Sequence, residues 1–203
     1  MFWILMTSFI LFSILINTYP TITLWDRSLI LYVQKLLIIV PNSIPIAFDG
    51  ILYLLMLIIP IIFSSVYFII KKKYFDIIYL SLIPLITYAI SGSLKLIVER
   101  PRPPIEMHLL ANQEGFSFVS NHTVITFCLW GMIVYYLINY CQNKFFRYIG
   151  FSIAILWSIL IGFSRIWLGV HNPTDVIAAF LLGALLLIIY IRIREFIEKY
   201  IGL

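Results

Sequence analysis

Residues 116–140 read FSFVSNHTVITFCLWGMIVYYLINY: a short polar mouth, then an apolar run long enough to cross a bilayer, which takes about 20 residues. Ser is a favoured helix N-cap. A helix is therefore expected to begin at Ser120 and run to about Cys141, with Asn121 and His122 in its first turn. Whether those polar groups only start the helix or also do chemistry depends on what else reaches the same end of the fold.

Working outward, the rest of the chain has the same character. Of its 203 residues 63% are hydrophobic and 11% charged, whereas a soluble domain carries about 25% charged residues. The sequence reads as an all-α integral membrane protein forming a single domain over 1–203. Six spans are expected, at roughly 2–19, 48–70, 74–97, 120–141, 148–168 and 174–193. The first has no basic n-region, and Asn17-Thr18-Tyr19-Pro20 is a poor small-residue cleavage site, so it reads as a span and not a signal peptide. Pro60 and Pro84 fall inside spans, where neighbouring helices tolerate them. Cys128 and Cys141, on one helix, would lie about 20 Å apart and cannot pair; both read as small apolar fillers.

The formal charge of +5 is no nucleic-acid signal here, because membrane proteins concentrate Lys and Arg in cytoplasmic loops. Lys71, Lys72, Lys73, Lys144, Arg147, Arg192, Arg194 and Lys199 fall on one side of a six-span arrangement. That side is expected to be cytoplasmic, with both termini. On the other side, Asp26, Arg27, Gln34 and Lys35 recur at seven- and eight-residue spacing, the pattern of an amphipathic helix lying on the outer interface.

The remaining cations, Lys95, Arg100, Arg102 and Arg165, gather at outer helix ends, against the inside bias. Ionisable groups at membrane depth are functional candidates. His122 and His171 share that level, and Asp175 follows His171 by four residues. Guanidinium forks, an ammonium and the free N–H groups of a helix N-terminus suit a phosphoryl group. An imidazole beside a carboxylate is a base whose tautomer can be held. Each piece also has a plain reading: Lys95 can snorkel, Arg102 can anchor to headgroups, Ser120 can simply cap, and Asn172-Pro173-Thr174-Asp175 is a good helix start. Their convergence on one face argues for a site. No metal or other cofactor is expected, since no zinc-ligand spacing occurs and the cations would repel a divalent ion. His108, in the loop PPIEMHLLANQEG, reads as a surface residue.

Three stretches then carry a resemblance. Lys95-LIVERP-Arg102-Pro103, Val119-Ser120-Asn121-His122 and Ser164-Arg165-IWLGV-His171-NPT-Asp175 occur in the order seen in the type 2 phosphatidic acid phosphatase family, over about residues 90–180. The first and third match completely. The middle one has Val119 and Asn121 where the family usually has Pro and Gly, which removes a preset φ and adds a side chain near the backbone. Asn tolerates unusual φ and helix starts, so the loop is expected to keep its shape.

The resemblance implies six membrane helices, an outward-facing site and hydrolysis of a lipid phosphate. It also implies roles. His171 attacks phosphorus to give a phosphohistidine, Asp175 hydrogen-bonds its other nitrogen, and His122 serves as acid and then base. Lys95, Arg102, Arg165, Ser120 and the Asn121 N–H hold the phosphoryl oxygens; Ser164 is open between packing and the site. Of the substrates in such families, undecaprenyl diphosphate ranks first, ahead of phosphatidic acid, phosphatidylglycerophosphate and lipid A phosphates, with a bacterial cytoplasmic membrane as the setting. A phosphotransferase and a non-catalytic lipid-binding or transport protein are the rival classes. No oligomeric state is read from the sequence.

Overall fold

The computed structural model describes residues 2–110 and 113–201, Ile201 by its backbone alone. Ala111 and Asn112, in the loop that carries His108, lie outside the described residues, as do Met1 and the last two positions. The elements are α1 (Phe2–Thr18), α2 (Pro20–Leu36), α3 (Ser43–Asp49), α4 (Ile51–Ile70), α5 (Tyr74–Val98), a 3-10 turn (Ile105–Met107), α6 (Asn121–Tyr140), α7 (Lys144–Trp167) and α8 (Pro173–Ile201). The described residues contain no strand.

Five helical segments are long and apolar enough to cross a membrane: 43–70, α5, α6, α7 and α8 up to Tyr200. A sixth results if α1 and α2 count as one bent span, since they meet at 90°. Pro20 sits in the first turn of α2, where a missing N–H is harmless and a fixed φ starts a new helix. The expected first span corresponds to α1, which counts as a span only together with α2, and α2 turns away from it at a right angle.

α6 is the central helix, packed against α5, α7 and α8. Cys128, Leu129 and Met132 are fully buried on it. Small residues let the helices approach as membrane interfaces require. A Cβ on Gly183 would come within 2.7 Å of Phe127, and one on Gly131 within 2.5 Å of Leu187. The outer faces are apolar instead: Ile58, Ile62, Phe63, Leu85 and Ile97 are exposed, as suits surfaces that meet lipid tails.

Two expectations about polar residues change. Arg194, read as a loop charge, is buried within α8. Its Nε donates to Asp76 Oδ1 at 3.1 Å, its Nη2 donates to the Tyr140 hydroxyl, and Tyr136 donates to Asp76 at 3.0 Å. This knot joins α5, α6 and α8 at the end of α6 that lies about 30 Å from Asn121. Lys73 lies 3.9 Å from Glu198 at the same end.

The second change concerns α2, whose polar residues were expected to face the outer interface. Asp26 is fully buried, while Leu24, Trp25, Leu31 and Tyr32 are exposed. Where the outside is lipid, the polar stripe of a helix finds its partners within the protein. Gln34 does the same, donating to the carbonyls of Met107 and Trp167 at 2.9 Å each.

Candidate active site

The end of α5 directs the first motif inward. Glu99 closes the helix in the left-handed region at φ 50°, and the chain turns so that Arg100 is buried. Lys95 Nζ donates to the carbonyls of Phe116 at 2.9 Å and Ser117 at 3.1 Å. Arg102 donates through Nε to Gly115 at 3.1 Å and through Nη1 to Val170 at 2.7 Å. These two predicted phosphate ligands thus already stitch the first motif to the loops carrying the second and third.

The second motif enters α6 as expected. Ser120, fully buried, is the N-cap residue with an extended φ of −69° and ψ of 108°. Its backbone carbonyl accepts from Val124 N at 3.1 Å. Its hydroxyl accepts from Thr123 Oγ1 at 2.9 Å. Asn121 is the first helical residue, and among the described residues the positive-φ non-glycine residues are Lys72 and Glu99. Asn in the place of the family's usual Gly is therefore compatible with a right-handed helical start, which any L-residue can adopt. Val119 fills the other altered position as fully buried core beside Phe118. The His122 ring lies 4.2 Å from that of Tyr53.

The third motif spans the end of α7 and the start of α8. Ser164 gives its hydroxyl to the Ile161 carbonyl at 2.8 Å, so it packs the helix. Gly169 has φ 71°, and a Cβ there would strike the Met107 carbonyl oxygen at 2.0 Å. Only glycine fits this turn, which sets His171 above the start of α8.

His171 is 3% exposed. Its Nδ1 lies 3.8 Å from Asp175 Oδ2, beyond hydrogen-bond reach. The expected direct bond gives way to a neighbouring approach because the carboxylate has stronger claimants. Asp175 Oδ2 accepts from the Asn172 backbone N–H at 2.9 Å and from Nδ2 at 3.2 Å, while Oδ1 accepts from Arg100. Burial first, then the charges of Lys95, Arg165 and Arg102, holds the His171 imidazole well below its ordinary value of 6.5. The ring is accordingly neutral, the form in which an imidazole can act as a nucleophile.

Four contributors escaped the sequence reading. Arg100 was grouped with the cations, but it is locked between two acids: Nη2 donates to Asp26 Oδ2 at 2.8 Å, and Nη1 to Thr174 Oγ1 at 2.8 Å and to Asp175. Asp26 also accepts from the Thr174 N–H at 3.0 Å and its hydroxyl at 2.7 Å. Asn172, read as part of a helix start, aims its amide at Asp175. Asp49, at the end of α3, contacts Arg165 and lies 3.5 Å from His122 Nε2. Among the described residues no three His, Cys, Asp or Glu side chains gather as a metal site would require. His108 is half-buried and pairs with the Pro103 carbonyl at 2.9 Å, apart from the cluster.

The family description "PAP2 superfamily" matches residues 76–199. Among relatives, phosphatidylglycerophosphatase B of Bacillus subtilis is 36% identical over 106 residues, 50% of this chain and 48% of that protein. Lipid phosphate phosphatase delta of Arabidopsis thaliana is 27% identical over 55% of this chain and 29% of its own length. Undecaprenyl-diphosphatase BcrC of Bacillus subtilis is 28% identical over 53% of this chain and 52% of its own. The matches thus span about half or less of these relatives. A crystal structure of a transmembrane PAP2-type phosphatidylglycerolphosphate phosphatase from Bacillus subtilis superimposes with a TM-score of 0.78 over 97% of this chain and 96% of that one, at 23% identity. That likeness establishes the fold.

Proposed function

This chain belongs to the PAP2 superfamily, and on that premise we propose that it is a membrane phosphatase acting on lipid phosphates through a phosphohistidine. The observation that carries the reading is the neutral, buried His171, set beside Asp175 and within the field of Lys95, Arg102, Arg165 and His122. With Nδ1 turned to Asp175, Nε2 is left to attack phosphorus. A P–N bond forms as the P–O bond to the lipid breaks, and His122 gives its proton to the departing oxygen. Water, deprotonated by His122, then displaces His171 and releases inorganic phosphate. Asp175 stabilises the imidazolium-like ring. Lys95, Arg102, Arg165, Ser120 and the N–H groups at the start of α6 neutralise the transferring group; in phosphoryl transfer, positioning and charge do most of the work.

The whole chain serves as one unit in this reading, in a bacterial cytoplasmic membrane. The basic end near Lys73 and Arg194 faces the cytoplasm with both termini, and the site opens outward, where a lipid's tail stays in the bilayer. Among substrates, the resemblance to phosphatidylglycerophosphatase B moves phosphatidylglycerophosphate ahead of undecaprenyl diphosphate, reversing the order that the family resemblance suggested, since the motifs themselves do not read the lipid.

The test is phosphate release by purified protein in detergent, with EDTA, from phosphatidylglycerophosphate, phosphatidic acid and undecaprenyl diphosphate. Free phosphate without any added acceptor is expected. Loss of the lipid's phosphoryl group only when an acceptor is added, with the group found on that acceptor and not as free phosphate, would indicate a phosphotransferase, and no turnover of any substrate would favour a binding protein.

The pH dependence follows from His171. Attack requires the neutral ring, and the folded protein disfavours its protonation. The acid limb of kcat/KM, which reports the free enzyme, is therefore expected below pH 6.5. A limb above 6.5 would mean that His171 is not held neutral.

A further inference from the structure

Arg165 is a buried cation with few partners. It is 2% exposed, and neither its Nε nor its Nη1 has a hydrogen-bond partner among the described residues. An uncompensated buried charge is strongly destabilising. Its counter-ion is Asp49, whose carboxylate also stands 3.5 Å from His122 Nε2.

Two features of Asp49 are unusual for a purely structural partner. It is the last residue of α3, where the helix dipole disfavours an acid. Its side chain is also 18% exposed, unlike Asp26 and Asp175, which are fully buried. Asp49 is thus open to its surroundings in part. It is followed by Gly50, at φ −99° and ψ −107°, the one non-helical residue between α3 and α4.

Resting on the function proposed above, we propose that the Asp49 carboxylate is an internal stand-in for the substrate's phosphoryl group. It occupies the anion position on Arg165 beside His122 when the site is empty and withdraws when a phosphate enters. Two anions cannot share one guanidinium and one imidazole without strong repulsion. Substrate binding therefore exchanges one anion for another, and the return of Asp49 helps expel the inorganic phosphate left after hydrolysis.

The experiment measures inhibition by inorganic phosphate, together with kcat and KM, for wild type, Asp49→Asn and Asp49→Glu, each checked for an unchanged melting temperature in detergent. Asn keeps the shape and removes the charge. Asp49→Asn is expected to bind inorganic phosphate about tenfold more tightly, the order of effect one nearby charge produces in a part-open site. KM is expected to fall with it, and kcat to fall as product release slows. Asp49→Glu is expected to return phosphate inhibition towards the wild-type value. A merely structural role would not tighten binding. If wild type hydrolyses lipid phosphates but Asp49→Asn binds phosphate equally or more weakly, the stand-in role is overturned and the function stands. If wild type neither hydrolyses a lipid phosphate nor binds inorganic phosphate, the functional reading falls first.

Discussion

His171→Ala is expected to lower kcat by at least ~10³-fold, the scale seen when a group acting as one unit with its neighbours is removed. KM is expected to change little. The residues proposed to neutralise the phosphoryl group, Lys95, Arg102 and Arg165, hold their places through contacts that do not involve His171, namely the carbonyls of Phe116, Ser117, Gly115 and Val170 and the carboxylate of Asp49. Stability is expected to be nearly unaffected, because the ring is buried without a hydrogen bond on Nδ1 and its loss leaves no partner stranded. Steady-state kinetics and a melting curve in detergent check both parts. Loss of activity with loss of folding would instead mean that His171 is part of the scaffold.

Arg100→Leu is expected to do the reverse, damaging the fold before the chemistry. Arg100 is the guanidinium between Asp26 and Asp175, and all three are buried. Removing it strands two carboxylates in a low-dielectric interior, which costs about 3–5 kcal/mol for a broken buried pair. The protein is expected to melt many degrees lower or to fail to accumulate. Adding Asp26→Asn to that variant removes one stranded charge and is expected to recover part of the loss. Equal melting temperatures for wild type and Arg100→Leu would show that the network carries no stability.

The contrast between these variants reflects what the sequence could reveal. His122, His171, Asp175, Lys95, Arg102 and Arg165 were legible because chemically demanding residues at fixed spacing stand out at the ends of apolar runs. The helices were legible for the same reason, since long apolar segments have few alternatives in a bilayer. Asp26 was misread because polar residues recurring at helical spacing on α2 look the same whether that stripe meets water or buried partners. Asp49 sits at the edge of an apolar segment, and no local pattern ties it to Arg165, which lies more than a hundred residues away in sequence. Arg100 was visible as a cation, but its partners come from α2 and α8, and only the fold brings those together. The bond expected between His171 and Asp175 was a pairwise idea; the structure makes Asp175 the centre of a network with Asn172, Arg100 and, through Arg100, Asp26.

The most direct test of the mechanism is to trap the intermediate. Purified protein is mixed with a lipid phosphate labelled with ³²P in the phosphoryl group, quenched rapidly in denaturant at alkaline pH, and mapped by peptide. Label is expected on the peptide carrying His171, stable to base and labile to acid, and absent from His171→Ala. Turnover with no label on His171 at any quench time, or label that survives in His171→Ala, would contradict the account.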